Sequence, residues 1–208
     1  MYTLNDIKNY SRVYGWISLF LVPLRYIQSK LFVYKQEIIL YKSLQNIPVE
    51  NKELKDFVFR KAFSKDLEKL KEIKPNTELF KKWLENESLF IIALKNNKIV
   101  GYTCVEFYPQ KPIDRVLKLQ QNEAWGRDAF ILPEYRNKGI YSIMFSLVTN
   151  LAKEKNLSKI YGSVDVKNLK SLKIHKKFGS KVIGRYIYLK LLVFEKIWYM
   201  ELENGKKE

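Results

Sequence analysis

Between Asp128 and Met144 the chain reads DAFILPEYRNKGIYSIM, and the order of residue types in that stretch can do chemistry. A short apolar strand passes through Pro133 into a turn in which Arg136 and Gly139 stand three apart. An apolar-periodic helix begins at once. This order leaves the unpaired N–H groups of a helix N-terminus facing the turn, where they and the positive end of the helix dipole bind phosphate. Gly139 permits close approach of the backbone. The amides of Asn137, Lys138, Gly139, Ile140, Tyr141 and Ser142 would meet the anion, and Arg136 and Lys138 add charge. Taken alone, the same stretch also reads as an ordinary glycine turn before a helix.

A second chemically suggestive segment is Asn168–Gly179 (NLKSLKIHKKFG). Asn168 suits a helix N-cap. His175 is the only histidine, and an unperturbed imidazole titrates near pH 6.5, so it can serve as a general acid. It reads equally as a half-buried packing residue. Lys173, Lys176 and Lys177 around it would depress its pKa. Cys104, the only cysteine, lies on an apolar strand and reads as core rather than nucleophile. One cysteine excludes an intramolecular disulfide and argues against a zinc cluster, no carboxylate cluster suggests another metal, and a reducing cytoplasm fits.

The elements that must position these residues follow from periodicity. Leu31–Leu44 suits a strand or hairpin arm, and Phe57–Arg60 a strand. Ser64 is placed to cap a short helix running through Leu70, with Asp66 in its first turn. Thr77–Glu87 predicts a second helix with Leu79, Phe80 and Leu84 on one face. Leu89–Leu94 and Ile99–Phe107 read as a hairpin, because Asn96 and Asn97 tolerate the positive φ of a tight turn. Trp125–Leu132 is a strand, and Ile140–Lys153 a helix with Ile140, Ile143, Leu147 and Leu151 as its core stripe. Lys159–Val166 is a strand, Asn168–Phe178 a helix, and Lys181–Glu201 a pair of long strands.

Composition bounds the partners. The 208 residues allow one good core with an extension. The net charge of +16 favours polyanionic partners: nucleic acid, an anionic membrane surface, or a phosphorylated cofactor. The cations are mostly dispersed lysines, which argues against a nucleic-acid stripe, although residues 153–181 hold nine lysines against Glu154 and Asp165. The division expected is an N-terminal extension over residues 1–50, an amphipathic helix plus a strand, followed by a main domain over 51–208. The apolar run Trp16–Leu24 is only nine residues and contains Pro23, too short for a bilayer span of about 20 residues. Residues 5–30 read either as a helix packed on the main domain or as a basic amphipathic helix on an anionic membrane face, which would make the protein peripheral at the inner membrane.

The order of elements and the two motifs resemble the GNAT superfamily of N-acetyltransferases. The family's cofactor turn, Gln/Arg-x-x-Gly-x-Gly/Ala, is matched by Arg136-Asn137-Lys138-Gly139-Ile140-Tyr141, with Tyr141 departing from the small residue. Its second motif is matched by Asn168, Ser171, Ile174, His175, Lys177 and Gly179, with His175 where a tyrosine is usual. The resemblance covers residues 55–201. It implies an α/β fold with a mixed, mostly antiparallel central sheet flanked by helices, and direct transfer of an acyl group, acetyl above all, from acetyl-CoA to a primary amine without a metal. It further implies that the pantetheine arm pairs with backbone groups of Ala129 and Ile131, and that Asn168 and Ser171 serve the thiol end. His175 would protonate the departing thiolate. The acceptor amine must lose a proton, for which Glu123 is the first candidate: it lies an even number of residues from Ile131 and so on the same face. Asp165 is the second, and each carboxylate reads equally as a surface acid. The acceptor expected is a small or peptide amine, favoured if anionic, and a homodimer is compatible with the chain. The alternatives are a non-catalytic CoA-binding regulatory module and, behind it, a basic nucleic-acid-binding protein.

Overall fold

Strand-forming runs separated by turn residues, interleaved with amphipathic segments, build eight strands and four α-helices among the described residues. The computed structural model describes residues 32–44, 54–74, 77–107, 113–192 and 194–202. The readings made for residues 5–30 therefore lie outside the described residues. The elements are β1 (Phe32–Ser43), β2 (Phe57–Lys61), α1 (Leu67–Lys71), α2 (Glu78–Glu85), β3 (Leu89–Lys95), β4 (Lys98–Glu106), β5 (Glu123–Ile131), α3 (Ile140–Glu154), β6 (Lys159–Asp165), α4 (Leu169–Lys177), β7 (Lys181–Leu191) and β8 (Phe194–Glu201). The strands hydrogen-bond in the order β2-β3-β4-β5-β6-β1-β7-β8. β5 and β6 run parallel, whereas β1 with β6 and with β7, β2 with β3, β3 with β4, and β7 with β8 are antiparallel. This is the mixed, mostly antiparallel α/β sheet with helices that the sequence predicts.

The chain divides into two compact units, with β5 shared at Gly126/Arg127. The first holds β2–β4, α1–α3 and Arg127–Ile131. Asn96 and Asn97 take φ of 49° and 61°, the double left-handed turn that closes the β3–β4 hairpin with the twist its strands need. β3 and β4 are buried along nearly their whole length, as strands covered on both faces must be. An aromatic cluster of Phe80, Trp83, Phe90 and Tyr102 forms the centre of one core, joined by Leu70, Ile92, Leu94 and Cys104. Burial pushes the Cys104 thiol pKa up, which fits a core residue. α3 packs on β3 and β4. Its buried stripe is Ile140, Met144, Val148 and Ala152 with Ile143 and Phe145, while Leu147 and Leu151 stay partly exposed. The expected stripe is thus rotated, with Ala152 rather than Leu151 facing inward.

Ser64 does not cap α1. It starts a 3-10 turn over Ser64–Asp66, and the Asp66 carboxylate does the tethering. That carboxylate accepts two 2.7 Å bonds from the Arg60 guanidinium and one of 2.9 Å from the Phe63 amide. These bonds hold the carboxyl below the usual carboxylate range against the opposing effect of burial.

The second unit holds β1, Glu123–Gly126, β6–β8 and α4. β1, the strand expected within the N-terminal extension, is hydrogen-bonded on both edges, to β6 from Glu37 to Ser43 and to β7 from Phe32 to Tyr41. Cross-strand pairs decide this, and a strand's partners leave no local mark in its sequence. One face of the unit buries Ile39, Trp125, Tyr161, Tyr186 and Tyr188 beneath Ile113, Val116, Leu117 and Leu119. The other face carries buried Lys42, whose Nζ donates a 2.6 Å bond to the Phe178 carbonyl that ends α4. A cation at the negative end of a helix is favourable there.

Candidate functional site

In the first unit the Arg136 turn takes a defined shape. Pro133–Tyr135 form one 3-10 turn, Asn137 and Gly139 adopt positive φ (62° and 81°), and Gly139 is the N-cap of α3. The first intrahelical bond of α3 runs from the Ile143 amide to the Gly139 carbonyl at 3.3 Å. The amides ahead of it lie at the helix end, where no preceding turn can receive them. Among the described residues, and apart from its own chain neighbours, a Cβ built on Gly139 would meet no atom within 4 Å. Glycine therefore supplies the left-handed conformation and open space together.

The two cations of the turn are ordered by aromatic faces. Arg136 donates from Nε to the Ile131 carbonyl at 2.9 Å, and its guanidinium lies 5.7 Å from the Phe130 ring centre. Lys138 Nζ sits 5.3 Å above Tyr135, which packs edge-on against Phe57. Tyr141 stacks on Phe145 at 5.8 Å, and burial raises its hydroxyl pKa. Ser142 follows it in the first turn of α3.

β5 changes character along its length. Glu123, Ala124 and Trp125 are buried, whereas Gly126–Ile131 are not, and Ala129 is exposed. The Leu132 amide donates to the Val100 carbonyl at 2.9 Å. Alternate residues of a strand direct their N–H and C=O to alternate edges. The backbone groups of Ala129 and Ile131 therefore point to the edge away from β4.

In the second unit Glu123 is deeply engaged. Its Oε1 accepts from Lys159 Nζ at 2.9 Å and from the Tyr161 hydroxyl at 3.2 Å, and its Oε2 accepts from the Gln120 amide at 3.0 Å. Burial alone would raise this carboxyl, but these bonds and the Lys159 charge hold it below its ordinary range. A carboxyl depressed in the fold contributes stability that is complete above the ordinary carboxylate pKa of about 4.3 and is lost as pH falls through the depressed value. Glu123→Gln should accordingly destabilise the protein near neutral pH by about 1–2 kcal/mol. The gap between variant and wild type should shrink as the medium is acidified. Thermal melts across the acid range check this, and a gap independent of pH would refute it.

Asn168 caps α4, its Oδ1 accepting from the Ser171 amide at 3.2 Å. His175 is half-buried toward the end of that helix. Its pKa is lowered by burial first and by Lys42 second. The exposed Lys173, Lys176 and Lys177, expected to depress it, are not the cause. Lys42 has no sequence signal beyond being a lysine in an otherwise strand-like run. Asp165 accepts from the Lys167 amide at 2.8 Å and is exposed.

Strand register separates Glu123 from His175. Tyr41 and Tyr161 are direct partners with rings 5.8 Å apart, so Lys159 and Tyr161, and Glu123 with them, occupy that face. Lys42 pairs with Ile160, one step along, and so lies with Phe178 on the opposite face. The structure brings Glu123 together with Lys159 and Tyr161, and Lys42 together with Phe178. It does not bring Glu123 to the face that carries Lys42. A further carboxylate that sequence reasoning misses is Glu106. It is buried at the end of β4 with Arg127 Nε at 3.5 Å, and its only signal is a lone acid closing an apolar run.

Among the described residues no group of three or more His, Cys, Asp or Glu is arranged to hold a metal ion, and no helix is long and apolar enough to cross a membrane. The sheet carries a strand, a positive-φ glycine and a helix N-terminus in succession. The model of the acetyltransferase (GNAT) family matches residues 57–180, more than half the chain, and the protein belongs to that family. No curated protein matches it. Among solved structures it is similar to a GCN5-related N-acetyltransferase from Sphaerobacter thermophilus, with TM-score 0.58 and 13% identity over 90% of this chain and 58% of that one. It is also similar to the GCN5-related glucosamine N-acetyltransferase region of a fungal multi-domain GH3 β-N-acetylglucosaminidase (TM-score 0.55, 16% identity, 83% of this chain and 22% of that). The aminoglycoside N-acetyltransferase AAC(6')-Iy, solved in complex with CoA, aligns with TM-score 0.50 and 15% identity over 59% of this chain and 90% of its own. At these identities the likeness is one of fold.

Proposed function

We propose that the protein is an acyl-CoA-dependent N-acyltransferase that transfers acetyl from acetyl-CoA to a primary amine. The amine nitrogen attacks the thioester carbonyl, the carbon–sulfur bond breaks, and the departing thiolate takes up a proton. The observation that carries the reading is the turn Arg136–Ser142: a left-handed glycine caps a 15-residue helix, with two cations beside it. A diphosphate at that point would find helix-end amides, a positive dipole end and the charges of Arg136 and Lys138. The backbone edge of Ala129 and Ile131 suits an arm that pairs as an added strand, although the Ile131 carbonyl already accepts one bond from Arg136. The family resemblance assigns Asn168 and Ser171 to the cofactor's thiol end, and the N-cap role of Asn168 leaves its side-chain amide available to a second partner.

For the proton transfers we assign His175 as the acid that meets the thiolate. Glu123 as base carries a difficulty, since both its oxygens are bonded and its charge is stabilised. Buried Glu106 beside Arg127 is the alternative base in the first unit. The charge of +16 favours an anionic acceptor, and a cytoplasmic setting suits the free thiol.

The test is calorimetric titration of acetyl-CoA, followed by thiol release across an amine panel. The panel opens with amino sugars, because two of the structural relatives are named for such acceptors. Micromolar-range binding with turnover is the expected result. Absence of binding would remove the reading, and binding without turnover on any amine would assign the chain to a CoA-binding regulatory module. His175→Phe should lower kcat by about a hundredfold, with the KM for acetyl-CoA nearly unchanged. An unaltered kcat would make His175 a packing residue.

A further inference from the structure

Turns between strands normally carry Gly, Asn or Asp, because those residues take positive φ cheaply. The β7–β8 hairpin instead leaves the paired strand ends Leu191 and Phe194 through Leu192, which is held at φ 53°. Leucine in that conformation is strained, and its side chain is 58% exposed. Strand register extends the apolar surface. Phe32, Leu191 and Phe194 stand in one row across β1, β7 and β8 and are 42%, 52% and 62% exposed. Exposed Tyr34, Trp198 and Met200 lie in the succeeding rows of the same face. An apolar patch of this extent marks a site of contact rather than ordinary surface.

The charges around the tip have one sign in effect. Lys35 and Lys196 are exposed, and Lys196 Nζ lies 4.9 Å above the Trp198 ring. The acid Glu195 is already paired, to Arg115 at 2.8 Å and to Lys190 at 3.8 Å. We propose that this hairpin tip, with Phe32 and Tyr34 beside it, inserts into the interface of an anionic lipid bilayer and holds the protein on it. Apolar side chains would enter the acyl boundary, Tyr34 and Trp198 would sit at headgroup level, and the lysine collar would meet anionic headgroups. The charge selects this occupant over two others. A second copy would set the same lysines against themselves across a two-fold axis. Residues 1–31, which join the described chain at Phe32, bring Lys8, Arg12, Arg25 and Lys30 against Asp6 alone. The proposal stands independently of the acyltransferase reading.

Co-sedimentation of the full chain with phosphatidylcholine vesicles, with and without phosphatidylglycerol, tests it. Binding is expected to the anionic vesicles and to fall about tenfold or more in the double variant Leu192→Asn/Phe194→Ser, which loses two exposed apolar groups. Asparagine relieves the strain at residue 192, so the melting temperature of that variant should hold or rise, separating docking from folding. Lys35→Glu/Lys196→Glu should weaken binding to anionic vesicles alone. Three results would each overturn the proposal: no sedimentation of the full chain, binding that the double variant retains, or equal binding to both vesicle types. A vesicle-independent dimer abolished by the double variant would overturn it as well, making the tip a contact between copies.

Discussion

Gly139→Val should weaken acetyl-CoA binding by about a hundredfold or more while most of the fold survives. The residue sits at φ 81°, where a β-branched side chain is strained, so the turn should distort locally at a cost of about 1–2 kcal/mol. The larger effect falls on the ligand in the proposed reading. A Cβ here meets no atom of the described residues beyond its chain neighbours within 4 Å, and Gly139 is the N-cap of α3. Blocking two charge-assisted hydrogen bonds to a diphosphate forfeits about 3 kcal/mol or more, which is the hundredfold. Gly139→Asn makes the comparison decisive, because asparagine accepts positive φ. Its melting temperature should match the wild type while calorimetry still reports weakened binding. A dissociation constant within about threefold of wild type in both variants would mean that the diphosphate does not sit at this turn.

Trp83→Ala should cost about 3–5 kcal/mol of folding stability, a large share of what a domain of this size possesses. Trp83 is fully buried and meets Phe80, Phe90 and Tyr102 with ring centres 5.2–6.1 Å apart. Removing it opens a cavity and breaks three aromatic contacts at once. Its indole Nε1 has no hydrogen-bond acceptor among the described residues, so that polar group is already a burden. Trp83→Phe should therefore cost far less than the alanine change, about 1.5 kcal/mol or below. Urea unfolding of the pair checks both figures. Equal losses would show that the indole N–H is doing something the packing does not reveal.

Several features are legible in the sequence because they depend on short stretches of chain. The Asn96-Asn97 turn, the Gly139 cap and the Asn168 cap are set by which residues tolerate positive φ or accept a backbone N–H within three residues. Burial of Cys104 follows from an apolar strand. Trp83, by contrast, is not named in the expected face of α2, although helical spacing sets it between Leu79 and Phe80; it fills the cluster that Leu79 and Leu84 only flank. The stripe expected for α3 is off by a fraction of a turn. A wide apolar helix offers several stripes, and the choice among them lies with the surface it meets.

The order of residues alone tells that a glycine turn follows a strand, that a second motif lies about thirty residues on, and that the family is GNAT. Those are local spacings, and local geometry enforces them. Tertiary structure alone decided that β1 lies between β6 and β7, since a strand's partners come from distant residues that match its faces. It also decided that Glu123 is held by Lys159 and Tyr161 on one face while Lys42 reaches Phe178 on the other. Parity along one strand is what makes Glu123 the expected base. It cannot say which side chains of the next strand are already bonded to it.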